Sequence, residues 1–144
     1  MTPYPADSPQ AMARIVAMAI VTDARLDRRE LAALDALDAY ALVGLTRDQF
    51  LDIVHQYCRD LLAEGGERIR LLDAARIDRA LAEVTDRRKQ TLVCGLLLNV
   101  CEADGGFHET ELAFLQHVLR RWGFSLASLR RELEAVAAGG GRPA

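Results

Sequence analysis

The 144-residue chain contains a single lysine, Lys89, so that its basic side chains are otherwise arginines, and its formal net charge is −3. A net negative chain has no general attraction to a phosphate backbone, and we therefore expect no nucleic-acid partner. Cysteine is also scarce, with Cys58, Cys94 and Cys101 forming no Cys-x-x-Cys pair. An odd number of cysteines without that spacing predicts buried, reduced thiols.

Long hydrophobic runs are absent. The strongest, TLVCGLLLNV over Thr91–Val100, is about half of the roughly 20 residues that span a bilayer. We predict a central core helix here and no direct membrane insertion. The first residues, MTPYP, lack the basic start and apolar core of a signal peptide, so the predicted location is cytoplasmic.

Catalytic motifs are missing as well, because the chain has no Gly-rich phosphate loop, no GxSxG and no HExxH. His55 and Cys58 are three residues apart on a predicted helix, but they flank its apolar stripe, which favours a core or boundary pair. His108 and His117 are nine residues apart and fall on opposite sides of their helix, so their spacing supports no zinc site. We predict that the protein is not an enzyme.

Helical periodicity runs through most of the chain, and no segment alternates as a strand does, which predicts an all-α bundle of about seven helices. Polar residues at predicted helix starts and glycines at predicted ends mark the boundaries. The predicted starts are Asp27, Thr46, Thr85 or Asp86, and Ser125, and the predicted ends are Gly44, Gly65-Gly66 and Gly123. The predicted organisation is a flexible segment over 1–9, one domain over 10–138 and a disordered tail over 139–144.

An internal repeat divides that domain. The pattern Asp-x-x-apolar-x-x-x-Glu-Leu starts at Asp23 and again at Asp104, and after a two-residue length difference Gly44-Leu45-Thr46 aligns with Gly123-Phe124-Ser125. Each copy predicts a buried helix, an acidic turn, an amphipathic helix, a glycine end and a hydroxyl-capped helix. We therefore expect two three-helix halves, about 10–64 and 86–138, which are joined by a helix over about 69–84 and pack with approximate twofold symmetry.

The strings TDARLDRREL from Thr22 and ADGGFHETEL from Ala103 resemble the repeated acidic motif of the TerB-like tellurite resistance family, whose fold is also found at the N-terminus of the co-chaperone DjlA. The resemblance covers nearly the whole chain. It implies a bundle of about seven helices, a cytoplasmic setting, a role in stress response and membrane-associated complexes, and divalent metal binding by the acidic residues. The chain departs from the usual motif at Ala24, where glycine is common, and at His108, where an acidic residue is common.

Two interpretations of the acidic pattern stay open. In the first, acidic corners bind calcium or magnesium through oxygen ligands, although the spacing is not that of an EF-hand. The candidate ligands are Asp23, Asp27, Glu30, Asp104 and Glu111. In the second, the glutamates cap their helices, Asp27 and Glu30 forming a capping box, while the aspartates at 23 and 104 shape turns at the ends of the preceding helices. An aspartate in that place opposes the helix dipole.

A third cluster suggests a different function. Arg120, Arg121 and Trp122 are residue types enriched at protein interfaces, although a tryptophan beside a helix end is also a common core residue. The sequence thus predicts a non-enzymatic, stress-associated TerB-like protein with divalent metal at its acidic corners. The alternative is a protein interaction module or homodimer in which the acidic motifs are only structural caps.

Overall fold

The computed structural model describes residues 3–22, 25–26, 28–65, 74–102 and 109–140. Eight helices lie within these residues, which confirms the all-α prediction. They are α1 Pro9–Ile20, α2 Arg28–Leu37, α3 Ala39–Leu42, α4 Arg47–Gly65, α5 Ala74–Ala82, α6 Arg87–Glu102, α7 Glu109–Trp122 and α8 Leu126–Gly140. Two short segments, β1 Val21–Thr22 and β2 Arg25–Leu26, pair antiparallel, and the sequence did not predict them.

Helices α1 and α6 pack against each other in the centre of the bundle. Helix α1 also contacts α4 and α5, whereas α6 also contacts α2, α7 and α8. The central position predicted for the helix containing Thr91–Val100 is therefore confirmed. Helix α1 is the more enclosed of the two, since every residue from Ala11 to Ile20 is buried, including Arg14.

Burial of Arg14 is possible because its guanidinium forms an ion pair with Glu83, just beyond the end of α5. The guanidinium also lies over the ring of Tyr4, 4.5 Å from its centroid. A buried charge that is paired in this way avoids most of the cost of losing its water. An arginine in the middle of a central helix is for this reason compatible with the core.

Matching side-chain caps start α4 and α8. The amide of Gln49 donates to the Thr46 hydroxyl at 3.1 Å while the Thr46 amide donates to the Gln49 side chain at 2.9 Å. The amide of Ser128 likewise donates to the Ser125 hydroxyl at 3.0 Å, and the Ser125 amide donates to the Ser128 hydroxyl at 2.9 Å. Both are reciprocal caps of the capping-box kind, and they confirm the predicted starts.

Matching glycine turns precede these caps. Gly44 and Gly123 have φ values of 87° and 74°, in the left-handed region that favours glycine. The next amide in each turn donates to a carbonyl five residues earlier, which is the hydrogen bond of a Schellman helix end. The two pairs are Leu45 to Tyr40 and Phe124 to Leu119, each at 2.8 Å. The predicted glycine ends at these two positions are confirmed.

The single helix predicted from Asp27 to near Gly44 is wrong, because α2 ends at Leu37 and the short helix α3 follows. Asp38 lies between them with φ 50° and ψ 46°, a left-handed conformation that aspartate tolerates better than most residues. The amide of Asp38 donates to the carbonyl of Asp35, and the Tyr40 hydroxyl donates to the Asp35 carboxylate. These hydrogen bonds hold the corner at which the helix changes direction.

The chain ends and the linking segment are described in part. Flexibility over residues 1–9 stays a prediction; within this segment Tyr4 and Asp7 are hydrogen-bonded to the turn between α5 and α6, and α1 begins at Pro9. The linking helix is present as α5, and residues 66–73, which include its predicted start, lie outside the described residues. Helix α8 continues through Gly139 and Gly140, the first two residues of the expected tail.

Candidate functional site

Only part of the predicted acidic corners falls within the described residues. Asp23, Asp27 and Asp104 lie outside them, and Glu111 is described only as part of the α7 backbone. Glu30 is fully described, as the third residue of α2, with 1% of its surface exposed. A carboxylate removed from water to this extent needs compensating hydrogen bonds or a cation, so Glu30 is more than a solvated cap.

The donor chemistry of the corners suits a hard cation, because carboxylate oxygens are the ligands that calcium and magnesium prefer. Among the residues that the structure describes, however, no group of three or more His, Cys, Asp or Glu side chains is arranged to hold a metal ion. A site at Glu30 would therefore depend on the neighbouring aspartates of the motif. Metal binding at the five predicted ligands stays a prediction, since only Glu30 among them has a described side chain.

The helix before the first acidic motif ends at Ile20. Val21 and Thr22 are extended and pair with Arg25 and Leu26. Asp23 lies outside the described residues, so the argument that its charge opposes the dipole of the preceding helix stays a prediction.

The predicted interaction cluster does not form one exposed patch. Trp122 is 9% exposed and belongs to the core, and its carbonyl accepts a hydrogen bond from Arg87. The Arg121 side chain lies 3.8 Å from the carboxylate of Asp78, and Arg120 is exposed. The core interpretation of Trp122 accordingly agrees with its burial.

A His–Asp pair joins α5 to α7, and the sequence analysis did not find it. His117 Nε2 lies 2.8 Å from Asp78 Oδ1, and both side chains are partly exposed. The two residues are 39 positions apart, so no spacing rule connects them. The contact links the linking helix α5 to α7 of the second half.

An apolar cleft of about 710 Å³ opens on the surface of the bundle. It lies where the start of α1, the end of α3, the start of α6 and one residue of α8 meet. Most of its lining is apolar: Pro9, Met12, Ala41, Leu42, Val43, Leu92 and Leu133. Its volume lies within the range of about 300 to 1,000 Å³ that is usual for small-molecule pockets. The cleft is assembled from four helices, and no local motif could have predicted it.

Three charged residues, Asp7, Arg88 and Lys89, also line the cleft. The Asp7 carboxylate accepts hydrogen bonds from the Asp86 amide, the Thr85 hydroxyl and the Thr85 amide, which hold the pKa of Asp7 below its usual value. Lys89 donates to the Asp7 backbone carbonyl at 2.7 Å. The lining thus contains two cations and one anion, and the anion already accepts three hydrogen bonds from the protein.

Arg88 differs from its two neighbours. Arg87 is paired with Glu132 and Lys89 is bonded to Asp7, but the exposed Arg88 guanidinium has no ion pair or hydrogen bond within the described part of the chain. Only its backbone amide is engaged, through the Asp86 carboxylate that caps α6. The side chain of Arg88 is therefore available to an anion at the cleft.

Comparison with protein-family models, with curated proteins and with solved structures found no significant match for this chain. No helix within the described ranges combines the length and the apolar character that crossing a bilayer requires.

Proposed function

We propose that the chain is a non-enzymatic protein of the TerB-like, stress-associated type, with two related halves that bind divalent cations at their acidic corners. The observation that carries the proposal is the recurrence of one local structure in both halves. Gly44 with Thr46 and Gly123 with Ser125 combine a left-handed glycine, a helix-ending hydrogen bond and a reciprocal cap in the same order.

Packing in the two halves supports the same proposal. Phe50 and Leu129, which occupy equivalent places after the caps, are both buried, as are Leu34 and Leu115 in the preceding helices. Helix α1 contacts α4 as its counterpart α6 contacts α8. These relations support two similarly built halves, 10–64 and 86–138.

Cation binding is proposed at the two copies of the acidic motif, with Glu30 and Asp23 in the first and Glu111 and Asp104 in the second. A bound calcium or magnesium ion would neutralise the carboxylates and stabilise the turns that connect the helices. The occurrence of the same acidic pattern at matching places in both halves supports this assignment.

Thermal unfolding in millimolar calcium or magnesium tests the proposal. The wild-type melting temperature should rise by several degrees relative to sodium chloride of equal ionic strength, because a ligand that binds only the folded state stabilises it. The double variant Glu30→Gln with Glu111→Gln should keep its fold and lose that rise, since glutamine can replace glutamate in a cap but is a poorer ligand.

A matched control removes the same charge elsewhere. Asp52→Asn with Glu134→Gln alters two exposed carboxylates and should retain the full response to the cation. If divalent cations leave the wild-type melting temperature unchanged, the metal proposal is wrong and the acidic motifs act as caps. An equal response in both double variants would likewise show that the cation binds outside the corners.

A further inference from the structure

We propose that the apolar cleft beside Arg88 binds a small amphiphile with one anionic head and an aliphatic body, of the kind represented by a medium-chain fatty carboxylate. This ligand site is separate from the acidic corners, and its occupancy does not depend on a metal. Three properties of the described residues support it: the size of the cleft, its apolar lining and the excess of one cation among its charged lining residues.

The size of the cleft favours a small ligand over a macromolecule. Eleven residues line a volume of about 710 Å³. A standard protein interface uses about 20 to 30 residues on each side, whereas pockets for small ligands measure about 300 to 1,000 Å³. The cleft therefore matches a small ligand that contacts a few side chains from several helices.

The lining defines the body of the ligand. Met12 and Val43 are buried, and Leu42, Leu92 and Leu133 are more accessible, with Leu42 at 53% exposure. These are aliphatic or thioether side chains, so the part of the ligand that replaces water against them should be aliphatic as well. An alkyl chain in the cleft would also cover Leu42.

The charges define the head. Arg88 and Lys89 bring two cations to the lining, and the single anion there, Asp7, already accepts three hydrogen bonds from Thr85 and Asp86. A carboxylate can accept two parallel hydrogen bonds from a guanidinium, which makes arginine a selective partner for this group. The α6 backbone amides of Arg88 and Lys89 are capped by Asp86, so the arginine side chain is the group that would recognise the head.

Decanoate, decyltrimethylammonium and decanol, all below their micelle or solubility limits, provide the probes. Calorimetric titration should give saturable binding of decanoate, with at least tenfold weaker binding of the other two. Because Lys89 is the only lysine, protein made with [13C]lysine carries a label at this one residue, beside the cleft. Its side-chain NMR signals should shift with decanoate and saturate at the same affinity.

Two variants separate charge from shape. Arg88→Glu should weaken decanoate binding by about tenfold or more, since a hydrogen bond to a charged group is lost and a like charge is introduced. Ala41→Trp places a large side chain at an exposed position of the lining and should weaken all three probes together. Arg120→Glu makes the same charge change on an exposed α7 residue that does not line the cleft, and it should leave the affinity within twofold.

The proposal is overturned if decanoate gives no saturable binding or leaves the Lys89 signals unshifted. Equal affinity for decanoate and decyltrimethylammonium would also overturn it, as would equal losses in the Arg88→Glu and Arg120→Glu variants. Circular dichroism and melting curves of each variant must match those of the wild type, so that weaker binding cannot result from unfolding of the variant. If Ala41→Trp fails this check, Ala41→Leu can replace it, because leucine fills a smaller part of the same cleft.

Discussion

Both carboxylate oxygens of Asp7 are engaged by Thr85, 78 residues later in the chain. Oδ1 accepts the Thr85 amide at 2.7 Å and Oδ2 accepts the Thr85 hydroxyl at 2.8 Å. Asp7 itself has φ 61°, a left-handed conformation. The segment before α1 is thus attached to the turn that leads into α6, and the two central helices begin at a shared hydrogen-bonded junction.

Replacing Asp7 tests the contribution of this junction. Asp7→Asn should lower the melting temperature, because asparagine tolerates the left-handed conformation but presents only one acceptor oxygen. Asp7→Ala should lower it further, since both acceptors are lost. Asp52→Asn, at an exposed position of α4, is the control and should leave the melting temperature nearly unchanged. Equal melting temperatures for Asp7→Asn and Asp52→Asn would show that the junction contributes nothing.

The same residue predicts a dependence on pH. Hydrogen bonds from Asp86 and Thr85 lower the pKa of Asp7 in the folded state. Its stabilisation is therefore fully present above the unfolded pKa of about 4 and is lost as the pH falls through the lower folded value. The difference in melting temperature between wild type and Asp7→Asn should be constant from pH 7 to 5 and should shrink towards pH 2.5. A difference that grows on acidification would contradict the assignment.

We expect Arg87→Lys to destabilise the protein, even though about half of the Arg87 side chain is exposed. Its guanidinium binds both oxygens of Glu132, each at 2.9 Å, donates to the Trp122 carbonyl and lies 3.5 Å from the centroid of the Phe124 ring. A lysine cannot reproduce this planar set of contacts, so Arg87→Lys should cost about 1 kcal/mol.

The adjacent Arg88 gives a matched control for this substitution. Arg88→Lys makes the same chemical change one residue later and should have little effect on stability, because the Arg88 side chain has no partner in the described part of the chain. Urea unfolding of the two variants checks the difference. Similar midpoints for both would show that the contacts of Arg87 add nothing to stability.

Gly95 allows α6 and α8 to approach closely. A Cβ atom at this position would lie 2.7 Å from Leu133 Cδ2, so a larger residue requires the leucine to move. Gly95→Val should therefore destabilise the protein by about 1 to 3 kcal/mol, as overpacking does. Gly95→Ala should be milder, because the higher helix propensity of alanine, about 1 kcal/mol, offsets part of the strain.

A double-mutant cycle identifies the cause of that destabilisation. Leu133→Ala removes the atoms that the new side chain would meet, so Gly95→Val should cost less in the Leu133→Ala background than in the wild type. Urea unfolding of the four proteins gives the coupling free energy. Purely additive effects would mean that the contact between Gly95 and Leu133 does not limit the packing.

Local chemistry explains why the sequence predicted most helix boundaries. Thr46, Ser125 and the two glycines at 44 and 123 act through hydrogen bonds to residues within five positions, so their effect is visible in a short stretch of sequence. Asp38 was missed because aspartate is compatible with a helix and enters the left-handed region only where the surrounding structure favours it.

The candidate site was less predictable because it depends on tertiary contacts. The repeat identified Glu30, but its burial follows from helices packed around it, as does the core position of Trp122. Arg88 and Lys89 look like ordinary solvated charges in the sequence. They line an apolar cleft only because α1, α3 and α8 pack beside the start of α6. Long-range pairs such as Asp7 with Thr85 have no sequence signal at all.

Because helices of both halves pack around α1, the two halves share one hydrophobic core. Ile15 and Met18 are completely buried in a helix that packs against both α4 and α6, so separating the halves would expose the facing surfaces of α1 and α6. We expect a chain divided between α4 and α5 to behave as a split protein, whose two fragments remain incomplete alone and recover the native bundle only when they are mixed.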